Sequence, residues 1–168
     1  MYMDYFVRRE YGNDYYTRAD EIVELSAKRR SIDKIITDCF EQVVYSINQP
    51  TGARNFQAVF WNISYYDKYY FQSLFGEFMF SDGTRPQWES LSWLQKRFMT
   101  WFNKERTRTV LTFPVETMAL LSKDGDVIDE EWGDFTAKMY SEGHLFFTYI
   151  SDNADSLSSC CRLRNEIQ

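Results

Sequence analysis

The chain has 168 residues and a formal net charge of −6, a length that suits one globular domain burying ~70% of its unfolded surface. Its 14 Phe, 12 Tyr and 5 Trp predict a large aromatic core. The negative charge argues against a nucleic-acid partner, because nonspecific binding to phosphates needs clustered Lys and Arg.

The N-terminal part of the chain, residues 1–47, is predicted to be helical. Thr17 is expected to cap a short helix with Asp20 and Glu21 in its first turn. Ser31 is expected to cap a longer helix, because apolar residues follow it at helical spacing. These residues are Ile32, Ile35, Ile36, Phe40, Val43, Val44 and Ile47.

The middle part, residues 48–151, alternates between predicted strands and helices. Strands are expected at 56–64, 109–115 and 145–151, and helices at 67–78, 88–106 and 130–142. The first strand has the pattern of a strand buried on both faces, although Gln57 and Asn62 place amides among its apolar residues. This order is typical of parallel strands joined by right-handed crossovers, so we predict an α/β fold with at least one unpaired sheet edge.

The last part, residues 152–168, contains adjacent cysteines, Cys160 and Cys161, that are candidates for sulfur chemistry. It is rich in Ser, Asp and Asn and is predicted to be a loop leaving the third strand, at the sheet end where α/β proteins bind ligands. Arg162 and Arg164 favour a thiolate, whereas nearby aspartates oppose it. An inert role for the pair stays open.

Other titratable or thiol residues are interpreted as structural. Cys39 lies on the helix stripe and is expected to be a small buried hydrophobe. His144 follows a predicted helix end, where its charge suits the helix dipole. The acidic residues within 124–131 lack the spacing of a calcium loop, so a solvated turn and a helix start are expected and no metal site is assigned.

The environment of the protein is predicted from its cysteines and its hydropathy. Three cysteines with no zinc-site spacing argue against a secreted disulfide framework. No apolar run approaches the roughly 18 residues of a membrane helix, and the N-terminus lacks a signal-peptide pattern. We therefore expect a soluble, untargeted, cytoplasmic protein with no membrane partner.

Several separated motifs carry a resemblance to a known family. They are NQPTGARNFQ (48–57), WNIS (61–64), DGT (82–84), FNKE (102–105), LTFPV (111–115) and SCCR (159–162). In this order they resemble the anaerobic, class III ribonucleoside-triphosphate reductases over nearly the whole chain. Such enzymes are oxidoreductases that convert ribonucleoside triphosphates to deoxyribonucleotides for DNA replication.

The resemblance implies a ten-stranded α/β barrel made of two half-barrels, with a finger loop through its centre. This chain would supply part of the first half-barrel and, in residues 152–168, the start of the finger loop. Cys161 aligns with the catalytic cysteine that becomes a thiyl radical, and Cys160 replaces a glycine, so the division of labour between the two sulfurs stays open. Gln57 and Asn62 are candidate substrate-binding amides, with a structural role at the strand ends as the alternative.

The cofactors and partners are also implied by the resemblance. The full enzyme is expected to use a glycyl radical installed by an iron–sulfur and S-adenosylmethionine activase, ATP or deoxynucleotide effectors, and a structural zinc, all outside this segment. Its expected partners are a ribonucleoside triphosphate substrate, the remainder of the enzyme, the activase and a second copy in a homodimer. The preferred nucleotide and the reductant, formate or a small redox protein, stay open.

The chain is expected to be an internal fragment that is inactive by itself, whether a truncated reading frame, one part of a split enzyme or an excised segment. Two alternatives to a catalytic role remain. The first alternative is a non-catalytic protein-interaction module that uses the unpaired strand edge and the aromatic surface. The second is an inert fragment.

Overall fold

The computed structural model describes residues 1–25, 27–50, 59–154, 156–158 and 164–166, the last two segments by their backbone. In chain order the elements are α1 (Tyr2–Tyr11), a 3-10 turn (Tyr15–Arg18), β1 (Ile22–Leu25), β2 (Lys28–Ser31), α2 (Ile32–Asn48), β3 (Asn62–Tyr66), α3 (Lys68–Phe75), α4 (Trp88–Arg106), β4 (Val115–Lys123), β5 (Asp126–Val127), α5 (Glu130–Ser141), β6 (Phe147–Ser151), β7 (Ser156–Ser158) and β8 (Arg164–Glu166). They form two compact units: Met1–Val59 with Pro86–Leu111, and Phe60–Arg85 with Thr112–Gln168.

The first unit is organised around the long helices α2 and α4. Phe40 of α2 meets Phe98 and Trp101 of α4 with ring centroids 4.9 and 5.5 Å apart. At the other side of the contact, Arg97 forms two hydrogen bonds to the carboxylate of Asp33, at 2.5 and 2.7 Å. An aromatic core and a two-point ion pair therefore fix the two helices against each other.

The second unit is built on a parallel sheet. β3 pairs in parallel with β4, and β4 pairs in parallel with β6, so β4 lies in the centre. β5 extends β4 through an antiparallel turn in which Asp124 and Gly125 both have positive φ, as a two-residue hairpin turn requires. The predicted α/β class with parallel strands is confirmed.

Three predicted helices are confirmed. The helix after Ser31 is α2, and the Ser31 side chain accepts a hydrogen bond from the Lys34 N–H at 3.1 Å. The predicted helices at 88–106 and 130–142 are α4 and α5. The helix predicted at 67–78 is also present, as the shorter α3, with Asp67 as its N-cap.

The prediction of a helix capped by Thr17 is wrong. The Thr17 hydroxyl donates backwards to the Asp14 carbonyl at 2.8 Å, within the 3-10 turn. The residues beyond it form the hairpin of β1 and β2, in which Ile22 pairs with Ser31. The N-terminal segment therefore contains a strand pair between its helices, and α1, which was not predicted, precedes it.

Two predicted strands are displaced along the chain. The strand placed at 109–115 begins at Val115 and runs to Lys123, because Val115 is the first residue that aligns with Asn62 of β3. The strand placed at 56–64 begins at Asn62, and its residues 56–58 lie outside the described residues. It is not buried on both faces, since only Tyr65 is fully buried within it.

Cys39 is exposed, so the prediction that it is buried is wrong. The core face of α2 is filled by Ile32, Ile36, Phe40 and Val44, at intervals of four, and by Thr37 beside Ile36. Cys39 is one position before Phe40 and therefore turns about 100° away from that face.

Among the described residues, no helix is long and apolar enough to cross a membrane.

Candidate functional site

Side chains alternate between the two faces of the parallel sheet, and the strand register assigns each one to a face. One face, which we call the α5 face, carries Ile63, Tyr65, Glu116, Met118, Leu120, Thr148 and Ile150. The other carries Asn62, Ser64, Tyr66, Val115, Thr117, Ala119, Leu121, Phe147, Tyr149 and Ser151. None of the residues in this second list is charged, and we call it the uncharged face.

The α5 face is closed by packing and hydrogen bonds. Glu116 is 1% exposed and accepts a hydrogen bond from the Tyr65 hydroxyl at 2.6 Å. The hydroxyls of Tyr140 in α5 and Thr148 in β6 lie 2.6 Å apart and share a hydrogen bond. The centre of this face is therefore part of the protein core, whereas Ile150 at its β6 edge is 55% exposed.

The uncharged face is covered at one end and partly open at the other. At the carboxyl ends of the strands, Tyr70 of α3 packs on Ala119 and Leu121. At the amino ends, Asn62 and Thr117 are half-buried and Phe147 is 53% exposed. The open end is the surface of the sheet that a bound molecule can reach.

Asn62 has an unusual environment at this open end. Its Oδ1 atom is buried and accepts no hydrogen bond from the described part of the chain. A buried polar atom left without a partner costs about 1–3 kcal/mol, so native proteins rarely keep one without a reason. The structural alternative for Asn62, an amide that satisfies a strand end, therefore has no partner among the described residues.

Neighbouring hydroxyl groups extend the polar strip along the same face. Thr117 lies in the central strand, with Ser64 as its pair on one side and Phe147 as its pair on the other. Ser64 hydrogen-bonds Tyr66; burial raises the pKa of Tyr66 and this bond partly offsets the rise. Sequence reasoning missed Ser64 and Thr117, because the strand that carries Thr117 was placed before it.

Two carboxylates, Asp67 and Asp129, connect the far end of the sheet to α3 and α5. Asp67 accepts hydrogen bonds from the N–H of Tyr70 in α3 at 2.7 Å and of Leu121 in β4 at 2.6 Å. Asp129 caps α5 through Trp132 and also accepts from the Lys68 N–H. Burial raises the pKa of Asp67, and the hydrogen bonds oppose that rise. These hydrogen bonds fix the carboxyl ends of the strands, and through them the register of the strands at the open end.

The predicted residues are only partly visible. Asn62 is at the open end described above, whereas Gln57, Cys160 and Cys161 lie outside the described residues. Ser158 and Arg164, which flank the segment with the two cysteines, are paired with each other as the ends of β7 and β8. His144 is at the end of α5, as predicted, with its ring nitrogen Nε2 3.2 Å from the Glu142 carboxylate.

Together these features define an α/β protein with parallel strands, one closed sheet face and one partly open, uncharged face. A family model described as anaerobic ribonucleoside-triphosphate reductase matches residues 1–168. The chain belongs to this family. None of the curated proteins compared with it matches.

Solved structures of anaerobic ribonucleotide reductases are similar to this chain. The enzyme from Thermotoga maritima with citrate in its active site is 31% identical, with a TM-score of 0.74 over 92% of this chain and 26% of its own. The same enzyme in complex with dATP and CTP is 32% identical, with a TM-score of 0.72 over 95% and 25%. A third structure, of an anaerobic ribonucleotide reductase, is 32% identical, with a TM-score of 0.73 over 92% of this chain and 22% of its own. The chain thus spans about a quarter of the length of these relatives.

Proposed function

We propose that this chain supplies the radical cysteine and part of the substrate-binding wall of an anaerobic ribonucleoside-triphosphate reductase. The match of the family model over residues 1–168 is the observation that carries the proposal. The enzyme would reduce ribonucleoside triphosphates to deoxyribonucleotides for DNA replication in the cytoplasm. The three parallel strands would be part of a ten-stranded α/β barrel, completed by the rest of the catalytic unit. We call this chain together with that rest the assembled enzyme.

Cys161 is the residue to which we assign the radical. A glycyl radical supplied by the rest of the assembled enzyme would take the thiol hydrogen atom, and Cys161 would then hold the unpaired electron on its sulfur. Cys161 would next take the 3′ hydrogen atom of the ribose, so that the S–H bond re-forms as a C–H bond of the sugar breaks. The pairing of Ser158 with Arg164 supports a loop role, because it holds the two ends of the cysteine segment together.

The protein contributes positioning to this chemistry, since atom transfer requires close contact between sulfur and ribose. Asn62 is assigned to substrate binding because its buried Oδ1 atom has no partner among the described residues. Gln57 is assigned to the same role by the family resemblance. The activase, the ATP or deoxynucleotide effectors, the structural zinc and the homodimer contacts belong to other parts of the assembled enzyme.

The proposal is tested by exchanging each cysteine for serine in the assembled enzyme. Cys161→Ser is expected to abolish deoxyribonucleotide formation, because a serine hydroxyl cannot replace the thiol in hydrogen-atom transfer. Cys160→Ser is the matched control and is expected to retain turnover. Product is measured by chromatography, and the glycyl radical is measured by electron paramagnetic resonance before substrate is added.

The radical signal separates a chemical effect from a failure to assemble. In Cys161→Ser it should form normally while turnover is absent. Full turnover in Cys161→Ser would refute the assignment. Loss of turnover in Cys160→Ser, with activity kept in Cys161→Ser, would move the radical to Cys160.

A second candidate function is a protein-interaction module without catalysis. It is favoured by β6, which pairs with β4 and with no other described strand, and by Ile150 on this strand, which is 55% exposed. Unpaired strand edges bind other chains readily. Sedimentation of the chain tests this role, and a dispersed monomer at high concentration would count against it. In that case an inert fragment would be the remaining non-catalytic reading.

A further inference from the structure

Two polar side chains at the open end of the uncharged face have no assigned partner. The Oδ1 atom of Asn62 is buried without a hydrogen bond. The hydroxyl of Thr117 likewise forms no hydrogen bond with the described part of the chain. By contrast, Ser64 next to them is engaged with Tyr66. Asn62 and Thr117 thus lie on neighbouring strands and on the same face of the sheet.

The charge of this surface limits what it can bind. The uncharged face has no Lys, Arg or His among the residues that the strand register assigns to it. Phosphate groups are bound by cations or by helix N-termini, and the described residues that the strand register assigns to this face include neither. Hydroxyl groups of a sugar are better matched, because each can both donate and accept a hydrogen bond, as an amide and a threonine can.

We infer that Thr117, together with Asn62, hydrogen-bonds the ribose of the nucleotide, and that the phosphates lie away from this face. The inference rests on the proposed function and adds to it a specificity-determining residue and an orientation. Thr117 is central, since it lies between Ser64 and Phe147 in the register. The exposed ring of Phe147 would contact the carbon-bound hydrogens of the sugar or the base.

The experiment measures nucleotide binding to the assembled enzyme before the radical is installed. Calorimetric titrations with CTP, CDP and CMP, with dATP present, compare Thr117→Val with the wild type. Valine has the same shape as threonine and suits a strand, so the sheet is expected to remain folded. Thr117→Ser retains the hydroxyl, and Thr117→Ala provides a second variant whose fold is checked by circular dichroism.

The expected result is a loss of affinity that does not depend on the number of phosphates. Thr117→Val and Thr117→Ala should weaken the binding of CTP, CDP and CMP by a similar factor, about fivefold, as one neutral hydrogen bond predicts. Thr117→Ser should stay within about twofold of the wild type. Thr148→Val, on the closed α5 face, is the matched control and should leave all three affinities unchanged.

Unchanged affinity in both Thr117→Val and Thr117→Ala would overturn the inference. So would a loss that grows from CMP to CTP, because it would assign the residue to the phosphates. The titrations do not involve the cysteines, so their failure is distinct from that of the proposed function. Loss of turnover in Cys161→Ser with unchanged binding in both Thr117 variants would support the reductase function and refute the contact between Thr117 and the substrate.

Discussion

Two polar regions of the molecule, one in each unit, differ in whether their groups are satisfied. In the first unit, Asp4, Arg8 and Tyr15 are buried, and the Asp4 carboxylate accepts from Arg8 at 2.9 Å and from Tyr15 at 3.0 Å. In the second unit, the Oδ1 atom of Asn62 and the hydroxyl of Thr117 form no hydrogen bond with the described residues. Most buried groups that serve the fold are paired within it, so we interpret the two groups at the open end as candidates for binding.

The first region is a closed cluster that holds α1 in place. The Tyr15 hydroxyl also reaches the Ser90 carbonyl of α4 at 3.4 Å. Burial raises the pKa of Tyr15, and the charge of Asp4 raises it further, so this phenol stays a proton donor. The raised pKa of Tyr15 therefore keeps its hydroxyl available as the donor to Asp4 and to the Ser90 carbonyl.

The largest effect is expected from breaking the closed cluster. Asp4→Ala removes the carboxylate that balances the buried Arg8, so the free energy of unfolding should fall by about 3–5 kcal/mol. Urea titration followed by circular dichroism measures it. Asp14→Ala is the control, because Asp14 pairs with Arg18 at the surface, and its stability should be close to the wild type. A stable Asp4→Ala chain would show that the cluster does not hold α1.

A smaller effect is expected from Asp67→Asn. Asparagine has one acceptor oxygen where aspartate has two, so either Tyr70 or Leu121 loses its partner, at a cost of about 2 kcal/mol. Asp126→Asn, at an exposed position of β5, is the control and should have little effect. Equal stability of the two variants would show that the hydrogen bonds of Asp67 to Tyr70 and Leu121 do not stabilise the sheet.

The same variant gives a test with pH. Burial raises the pKa of Asp67, so the folded chain binds this proton at a higher pH than the unfolded chain does. The wild type should therefore gain stability relative to Asp67→Asn as the pH falls toward the raised pKa, and lose that gain as the pH rises through it. Urea titrations of both proteins between pH 7 and roughly 4 measure the difference.

The smallest effect, of opposite sign, is expected from Asn62→Val. It removes a buried acceptor that has no partner among the described residues, so the free energy of unfolding should rise by about 1 kcal/mol. Asn103→Leu is the matched comparison, because Asn103 is buried and donates to the Met99 carbonyl at 2.9 Å. It should lower stability. A loss of stability in Asn62→Val as large as that in Asn103→Leu would mean that Asn62 serves the fold.

The sequence predicts the elements whose signals are local. Ser31 is the N-cap of α2, and the spacing of the apolar residues in this helix predicts the face that packs on α4. The parallel order of the strands follows from their alternation with helices. Cys39 was misplaced because the whole apolar stripe of α2 was expected to be buried, whereas its buried apolar residues recur every four positions and do not include Cys39.

Elements stabilised by distant partners were missed. α1 buries Asp4 and Arg8, which form an ion pair four residues apart, and the Tyr15 hydroxyl that also donates to Asp4 lies outside the helix. β4 contains Glu116, and a glutamate is not expected in a buried strand. Its burial is explained by the hydroxyl of Tyr65 in β3, which donates a hydrogen bond to it. Thr117 was overlooked for the same reason, since its place on the open end depends on a register that no local signal provides.

The order of the parallel strands in the sheet is also their order in the chain, from β3 to β4 to β6. During synthesis, each strand that leaves the ribosome therefore meets a neighbour already made, and none must wait for a later one to be inserted between them. The sheet can grow at a single edge while translation continues, with β6 the most recently added strand of the three.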